Sequence, residues 1–421
     1  MPELLQLKSL DLTKLVRPGD TVMWGQANAE PLPLTQALME QRHGIGQFTV
    51  VLGIDKSGTC KVEHADCVNF VAYCGAGGNR DLVQAGVLDI LPIHYSSFAQ
   101  GLASGALPID VLMLQVAPAD ANGRYSLSIA CEYLLHCIDT ARLVIAEVNQ
   151  QAPWTFGERT LGEDDLDIIV HTDRPPLEIS AINARESDQR IARHIAGIVE
   201  DGATLQMGIG AIPDAVLGAL AGHRDLGVHS GSLGDSVARL MENGAINNRR
   251  KSIDRGVSIG GTLMGSRLLH DFAHNNRAIE LRSTQYTHDA AVLASIDRFV
   301  AINSAVEVDL TGQVNSEIAA GNYVGAVGGA VDFIRGAHLS KGGLPIIALP
   351  STAGNHSRIV ARIAGPVTLA RSDAGIIVTE FGIADLRGLS VKERIVKMLD
   401  ISHPDHRAGL QSQLAQIHAW G

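Results

Sequence analysis

Gly321-Asn-Tyr-Val-Gly-Ala-Val-Gly-Gly-Ala-Val-Asp-Phe-Ile-Arg-Gly-Ala-His-Leu-Ser-Lys-Gly-Gly343 is the stretch from which the rest of this chain is read. Gly328 and Gly329 stand directly before a segment that reads as a helix, Ala330 to Leu339. A second glycine pair then leads into the strand Pro345-Ile-Ile-Ala-Leu-Pro350. Adjacent glycines at a helix start let backbone N–H groups approach a ligand, and those unpaired N–H groups favour negative charge. A phosphate suits such a turn, and so does the oxyanion formed when a carbonyl is attacked. A tight surface turn with a glycine cap has the same local sequence, so the rest of the chain must decide.

The opening of the chain is duplicated. Val16, Gly19, Thr21 and Gly25 match Val199, Gly202, Thr204 and Gly208 at a constant offset, and with one residue dropped from the loop Pro31, Ala37 and Leu38 match Pro213, Ala219 and Leu220. In both copies a short apolar strand ends at glycine and a helix begins near proline, the place where open α/β sheets hold ligands. A repeat separated by almost half the chain predicts two similar α/β halves rather than a short-period solenoid.

Between these openings, strands are expected at Phe48–Ile54, Val87–Pro92, Asp110–Val116 and Leu143–Val148, with a helix after Gly75-Ala-Gly-Gly-Asn-Arg80. Helical segments alternating with strands imply a parallel or mixed sheet covered on both faces. The polar, proline-paired stretch His171–Pro176 is the expected linker, followed by an amphipathic helix over Ser187–Ile198. The second half carries strands near Leu205, Val228, Val300, Ile346 and Gly375–Thr379, and is mostly helical from Val391. The fold class is therefore α/β, with two similar open α/β domains as duplicated halves, residues 1–178 and 187–421.

With 421 residues, 46% hydrophobic and 19% charged, the chain has the composition of a packed α/β enzyme. A net charge of −11 argues against a general nucleic-acid or membrane-surface binder, so any polyanion must be captured by a local site. No apolar run reaches the length of a membrane span, and Met-Pro-Glu-Leu-Leu-Gln-Leu-Lys8 is not a signal pattern, which predicts a soluble, cytoplasmic protein. Cys60, Cys67, Cys74, Cys131 and Cys137 are too widely spaced for zinc pairs and read as small buried hydrophobes; no metal is expected.

Five phrases in the second half fall into a pattern: Gln206–Asp214, Asn303–Ser316, Val327–Gly336, Leu339–Gly343 and Thr379–Gly388. In that order they resemble the acetyl-CoA hydrolase/transferase family, and Val111–Leu127 is similar to that family's strand and Asp-x-x-Gly turn. The resemblance runs from about Val16 to Gly388. It implies a CoA-transferase-like fold with the active site at the domain interface and coenzyme A, as acyl-CoA, for cosubstrate. It also implies a small carboxylic acid as second substrate, and a homo-oligomer, dimer or tetramer. The implied chemistry is ping-pong transfer through a glutamyl-CoA thioester. It needs a carboxylate against the thioester, N–H donors for the oxyanion and remote binding energy from the CoA tail.

The sequence departs from the family where the nucleophile belongs. The family phrase His-Thr-Glu-Met-x-x-Asp is matched here by His229-Ser-Gly-Ser-Leu-Gly-Asp235, so Gly231 stands at the glutamate position. A carboxylate from elsewhere could fill the volume a glycine leaves. Glu63, on a loop after a strand beside His64 and Asp66, is the expected nucleophile, in keeping with family members that carry the glutamate in the first half. Glu30, directly before Pro31, is the next candidate. Asp235 fits an N-cap, and Glu307, Glu317 and Glu380 fit structural acids. Gly208, Gly210, Gly328 and Gly329 are expected to admit pantetheine and present donors, Asn303 to bond its amides, and Arg335 and Lys341 to meet the CoA phosphates. Gln26, opposite Ile209 in the repeat, and Gly231 line the acyl pocket in this reading, and His229 is a core histidine. The competing readings are an acyl-CoA hydrolase and, given Gly231, a non-catalytic CoA-binding protein.

Overall fold

The computed structural model describes residues 2–180 and 182–415; Met1, Ala181 and 416–421, which include the outer ends of both expected domain ranges, lie outside the described residues. The first half is built on an eight-stranded sheet, all of whose neighbouring pairs are parallel. Its central strands Val111–Val116 and Leu143–Asn149 are buried throughout, which is why they read as near-continuous apolar runs rather than alternating ones, broken only by Gln115 in the first and by Glu147 and Asn149 in the second. The second half is built on six strands in the order Gly227–Val228, Thr204–Met207, Phe299–Ser304, Leu344–Ala348, Ile376–Thr379 and Gly382–Asp385. Only the last pair is antiparallel.

The duplicated opening is structural. Thr21–Trp24 and Thr204–Met207 are both inner strands of their sheets, each leading through a glycine into a helix, Leu32–Ile45 and Ala211–Ala219. Gly19 and Gly202 occupy the same left-handed region, with φ of +88° and +80°. A β-carbon is disfavoured there, so the repeat keeps glycine at both positions for one backbone reason. The first helix runs seven residues past the Leu38 end read from the sequence and stops where Gly46 takes φ +91°. The linker also starts later than expected, because His171 and Thr172 pair with Val148 and Asn149.

The halves do not pack as separate cores. One buried cluster runs from Met23 and Leu112 through Tyr133 and Leu205 to Ile346 and Val378, joining both sheets. Two further clusters lie on the outer sides, one in each half. The strand Phe156–Gly157 of the first half pairs with Glu280 and Leu281 of the second. Among the described residues, no helix is long and apolar enough to cross a membrane.

Candidate active site

The glycine-rich stretch is the seam between the halves. The helix forms over Ala330–Leu339, with Gly329 as N-cap. Gly325 accepts from the Gly75 N–H at 2.8 Å and Gly328 from the Tyr95 N–H at 3.0 Å. In the helix's first turn the Asp332 carboxylate takes the Ser96 N–H at 3.1 Å and hydroxyl at 2.7 Å. These bonds fix the helix Tyr95–Ala103 of the first half against the turn of the second. The two adjacent glycines are needed for different reasons. Gly328 has φ +56°, whereas a β-carbon on Gly329 would lie 2.5 Å from His288 Nε2. The absent side chain at 329 makes room for an imidazole.

Beside this turn is a cavity of about 200 Å³ lined by residues of both halves, Gln26, Tyr95 and Glu132 from the first and Gly231, His288 and Gly329 among those of the second. Glu132 is its only carboxylate among the described residues and is 2% exposed. Gln26 Nε2 donates to Glu132 Oε2 at 2.8 Å and the Tyr95 hydroxyl donates to the same oxygen at 3.0 Å. Gln26 is itself held, its Oε1 accepting from the Ile54 N–H at 3.1 Å and from the Tyr73 hydroxyl. Oε1 of Glu132 is buried and finds no hydrogen-bond partner among the described residues. Burial pushes the Glu132 carboxyl up to about 7, against the two hydrogen bonds that favour its ionised form. Its backbone is also unusual, with φ +24°. A buried, half-satisfied carboxylate on strained backbone persists only where its surroundings over-determine it, and such positions concentrate at functional sites.

Glu132 reaches the cavity next to the glycine that stands in the nucleophile position. Its β-carbon is 3.4 Å from an ideal β-carbon on Gly261, and Gly261 donates its N–H to the Gly231 carbonyl at 3.0 Å. At Gly231 a β-carbon would meet His288 Cε1 at 2.9 Å. The His288 ring, not a carboxylate, occupies the space beside that glycine. Burial holds both His288 and His229 down to about 3, so both are neutral across the working range. His229 is fully buried, with Nε2 3.3 Å from the Thr287 carbonyl, as expected of a core histidine.

A second cavity of about 400 Å³ adjoins the first, sharing Ile54, Met207, Gly208, Ile209 and Met264 with it. Its wall includes Gly210, which has φ +124° and caps the helix Ala211–Ala219, and the exposed Arg80. Together the two cavities reach the size usual for cosubstrate sites, which the inner one alone does not.

Several expected site residues do come together. Gln26, Gly208, Gly231, Asn303, Gly328 and Gly329 line the inner cavity, and Gly208 and Gly210 the outer. Asn303 bonds Gln206 Oε1 through its side-chain N–H at 3.0 Å. Glu63 is not brought to either cavity. It lies in the short helical turn Val62–Asp66 with 69% of its side chain exposed, 3.9 Å from His64 Nε2 and 4.0 Å from Lys61 Nζ. That turn precedes its strand, Val68–Ala72, and so faces away from the strand ends that border the cleft. Its neighbours are engaged elsewhere, Asp66 by the Arg42 guanidinium and His64 by the Lys61 N–H.

Glu30 is buried but accepts from the Thr35 hydroxyl at 2.6 Å and lines neither cavity. Asp235 follows the N-cap Gly234 rather than being one, and its carboxylate holds the Ser266 N–H and hydroxyl. Glu307, Glu317 and Glu380 accept from Asn315, Thr368 and Ser351 respectively, as structural acids do. Arg335 is tied to Asp373 at 2.9 Å, and neither it nor the exposed Lys341 lines either of these two cavities. Four of the five cysteines are buried and Cys67 is half-buried.

Residues 6–179 match the acetyl-CoA hydrolase/transferase N-terminal domain and residues 265–414 the acetyl-CoA hydrolase/transferase C-terminal domain. The chain belongs to the acetyl-CoA hydrolase/transferase family. It is 37% identical to the 4-hydroxybutyrate coenzyme A transferase of Clostridium kluyveri, over 93% of each chain. It is 32% identical to the butyryl-CoA:acetate CoA-transferase of Anaerostipes caccae, over 99% of this chain and 97% of that one. The crystal structure of RipA from Yersinia pestis superposes with a TM-score of 0.94 at 33% identity, covering 99% of this chain and 98% of RipA.

Proposed function

We propose that this protein is an acyl-CoA:carboxylate CoA-transferase whose nucleophile is Glu132. The observation that carries the reading is the buried Glu132 carboxylate, held through one oxygen by Gln26 and Tyr95 beside the glycine turn of the opposite half. The match to CoA-transferases over nearly the whole chain supports the reaction class.

In the reaction, a Glu132 oxygen attacks the acyl-CoA carbonyl carbon, and the C–S bond breaks to release CoA thiolate and leave an acyl-glutamyl anhydride. The thiolate attacks the glutamyl carbonyl, freeing the first carboxylic acid as its carboxylate and forming a glutamyl-CoA thioester. An incoming carboxylate then reverses both steps. No proton is transferred at the nucleophile, which is consistent with neutral His288 and His229 serving as packing groups. The first N–H groups of the helix Ala330–Leu339 have no partner within it and border the cavity, so they are the oxyanion donors in this reading. The pantetheine arm runs over Met207–Gly210 into the outer cavity, and Arg80 takes the role expected of Arg335 and Lys341 at the phosphates.

The test is to mix the protein with an acyl-CoA, trap it with borohydride and map the modified peptide by mass spectrometry. Reduction of the Glu132 carboxyl to a primary alcohol, with CoA thiol released from the trapped thioester and with transfer only when a carboxylate acceptor is present, is the expected result. Free CoA released without an acceptor identifies a hydrolase instead, and an unmodified, inactive protein identifies a CoA-binding one. Arg80→Ala is expected to raise the KM for acyl-CoA roughly tenfold with little change in kcat, because it removes binding remote from the reacting carbon. An unchanged KM would move the phosphates elsewhere.

A further inference from the structure

We infer that the acyl group accepted by this enzyme is short and carries no charge, so that monocarboxylates are handled and dicarboxylates rejected. The inference rests on the transferase reading and adds the substrate class to it. The inner cavity, about 200 Å³, must hold the acyl chain once the thioester carbonyl sits against Glu132. Its walls include the apolar groups Ile54, Met264, Ala330 and Phe333. The ionisable groups on those walls, among the described residues, are Glu132, His288, Tyr73 and Tyr95. Both tyrosines are buried against the same network, and burial raises their hydroxyls well above the usual range. Burial likewise keeps His288 unprotonated. One negative group and three neutral ones therefore face the acyl chain, with no arginine or lysine on the wall among the described residues.

A second carboxylate placed there loses its water, meets no cation and lies beside the charge of Glu132. Each of these opposes binding, and a desolvated charge without a partner is strongly disfavoured. Arg80 does not compensate, because it borders the outer cavity on the other side of Met207–Ile209. The remaining polar groups of the wall are uncharged, Gln26, Ser232 and Thr262 with the Gln206–Asn303 pair, and these accommodate a hydroxyl but not an ion.

Butyryl-CoA and succinyl-CoA have four-carbon acyl chains that differ by a terminal carboxylate. With acetate as acceptor, kcat/KM for butyryl-CoA is expected to exceed that for succinyl-CoA by roughly a hundredfold or more. Ser232→Lys, which puts a cation on the wall, is expected to narrow that ratio at least tenfold by improving succinyl-CoA. Equal use of both donors, with Glu132 reduced in the borohydride trap, overturns the charge-based selectivity while leaving the transferase reading intact. No turnover with either donor and no reduction of Glu132 overturns both.

Discussion

Replacement of Glu132 by glutamine is expected to lower kcat by roughly a thousandfold or more while leaving the protein folded and able to bind CoA. The amide keeps the shape of the carboxylate. Its oxygen can accept the same two hydrogen bonds, from Gln26 Nε2 and the Tyr95 hydroxyl, that now reach Oε2. What it cannot do is form an anhydride. The natural control is Glu63→Ala. With 69% of the Glu63 side chain in solvent and no wall of either cavity involved, its removal is expected to change kcat/KM by no more than about twofold. Steady-state kinetics on both variants, with thermal melts to check folding, decide between the two carboxylates. Loss of activity in Glu63→Ala alone would place the chemistry on a surface turn and refute the assignment of Glu132.

The second large effect is on pH. In the proposed mechanism only the ionised Glu132 attacks, and burial has raised its carboxyl from the ordinary value of 4.5 to about 7. Activity, as kcat/KM, is therefore expected to rise with pH through about 7 and level off above it. The neighbouring groups do not confuse the profile. Tyr73, Tyr95, Tyr133 and Cys74 are all raised by burial and stay neutral, and His288 is unprotonated throughout. A flat profile between pH 6 and 9, values chosen to bracket that midpoint at roughly one unit below and two above, would rule out Glu132 as the titrating group.

The same raised carboxyl makes stability depend on pH with the opposite sense to activity. A carboxyl whose folded value lies above its unfolded one binds its proton more tightly in the native state. Stability from this group is present below the unfolded value of 4.5 and is lost as pH rises toward about 7. The loss amounts to about 3 kcal/mol, at about 1.4 kcal/mol for each pH unit separating the folded from the unfolded value. Denaturant midpoints of the native protein and Glu132→Gln should therefore converge or cross between acid and neutral pH, the glutamine variant gaining relative stability as pH rises. Parallel curves would mean that Glu132 is not buried as a carboxylic acid. The proposed nucleophile is thus held at a cost that grows in the pH range where it would work.

The fold was readable from local signals. Each half announces itself by predominantly apolar strands, and the repeat by Gly19 and Gly202, which share one left-handed backbone position. The helix after the glycine pair, Ala330–Leu339, lies where the sequence puts it, because its boundaries depend on neighbouring residues alone. Gln26 was reachable by the repeat and Gly328, Gly329 and Gly231 by the family phrases. All four line one cavity.

Glu132 was not reachable in this way. It is a lone acid inside the apolar run Leu127–Ile138, and the chain has another buried acid of that kind, Glu147, which is neutralised by Arg174 across 2.7 Å. The sequence alone has no mark that separates an acid with an ion partner from one without. Glu63 had the sequence features expected of a reactive group, a charged loop beside a histidine, yet those features belong equally to a solvated surface. The residues alone establish that glycine stands at position 231 where the family phrase has glutamate, and they lead to the expectation of a carboxylate from the first half. What singles out Glu132 as the proposed nucleophile is visible only in the tertiary structure, because burial, the Gln26–Tyr95 clamp and the seam at Gly328 bring together residues more than two hundred positions apart, and desolvation is a property of that assembled environment rather than of any local stretch.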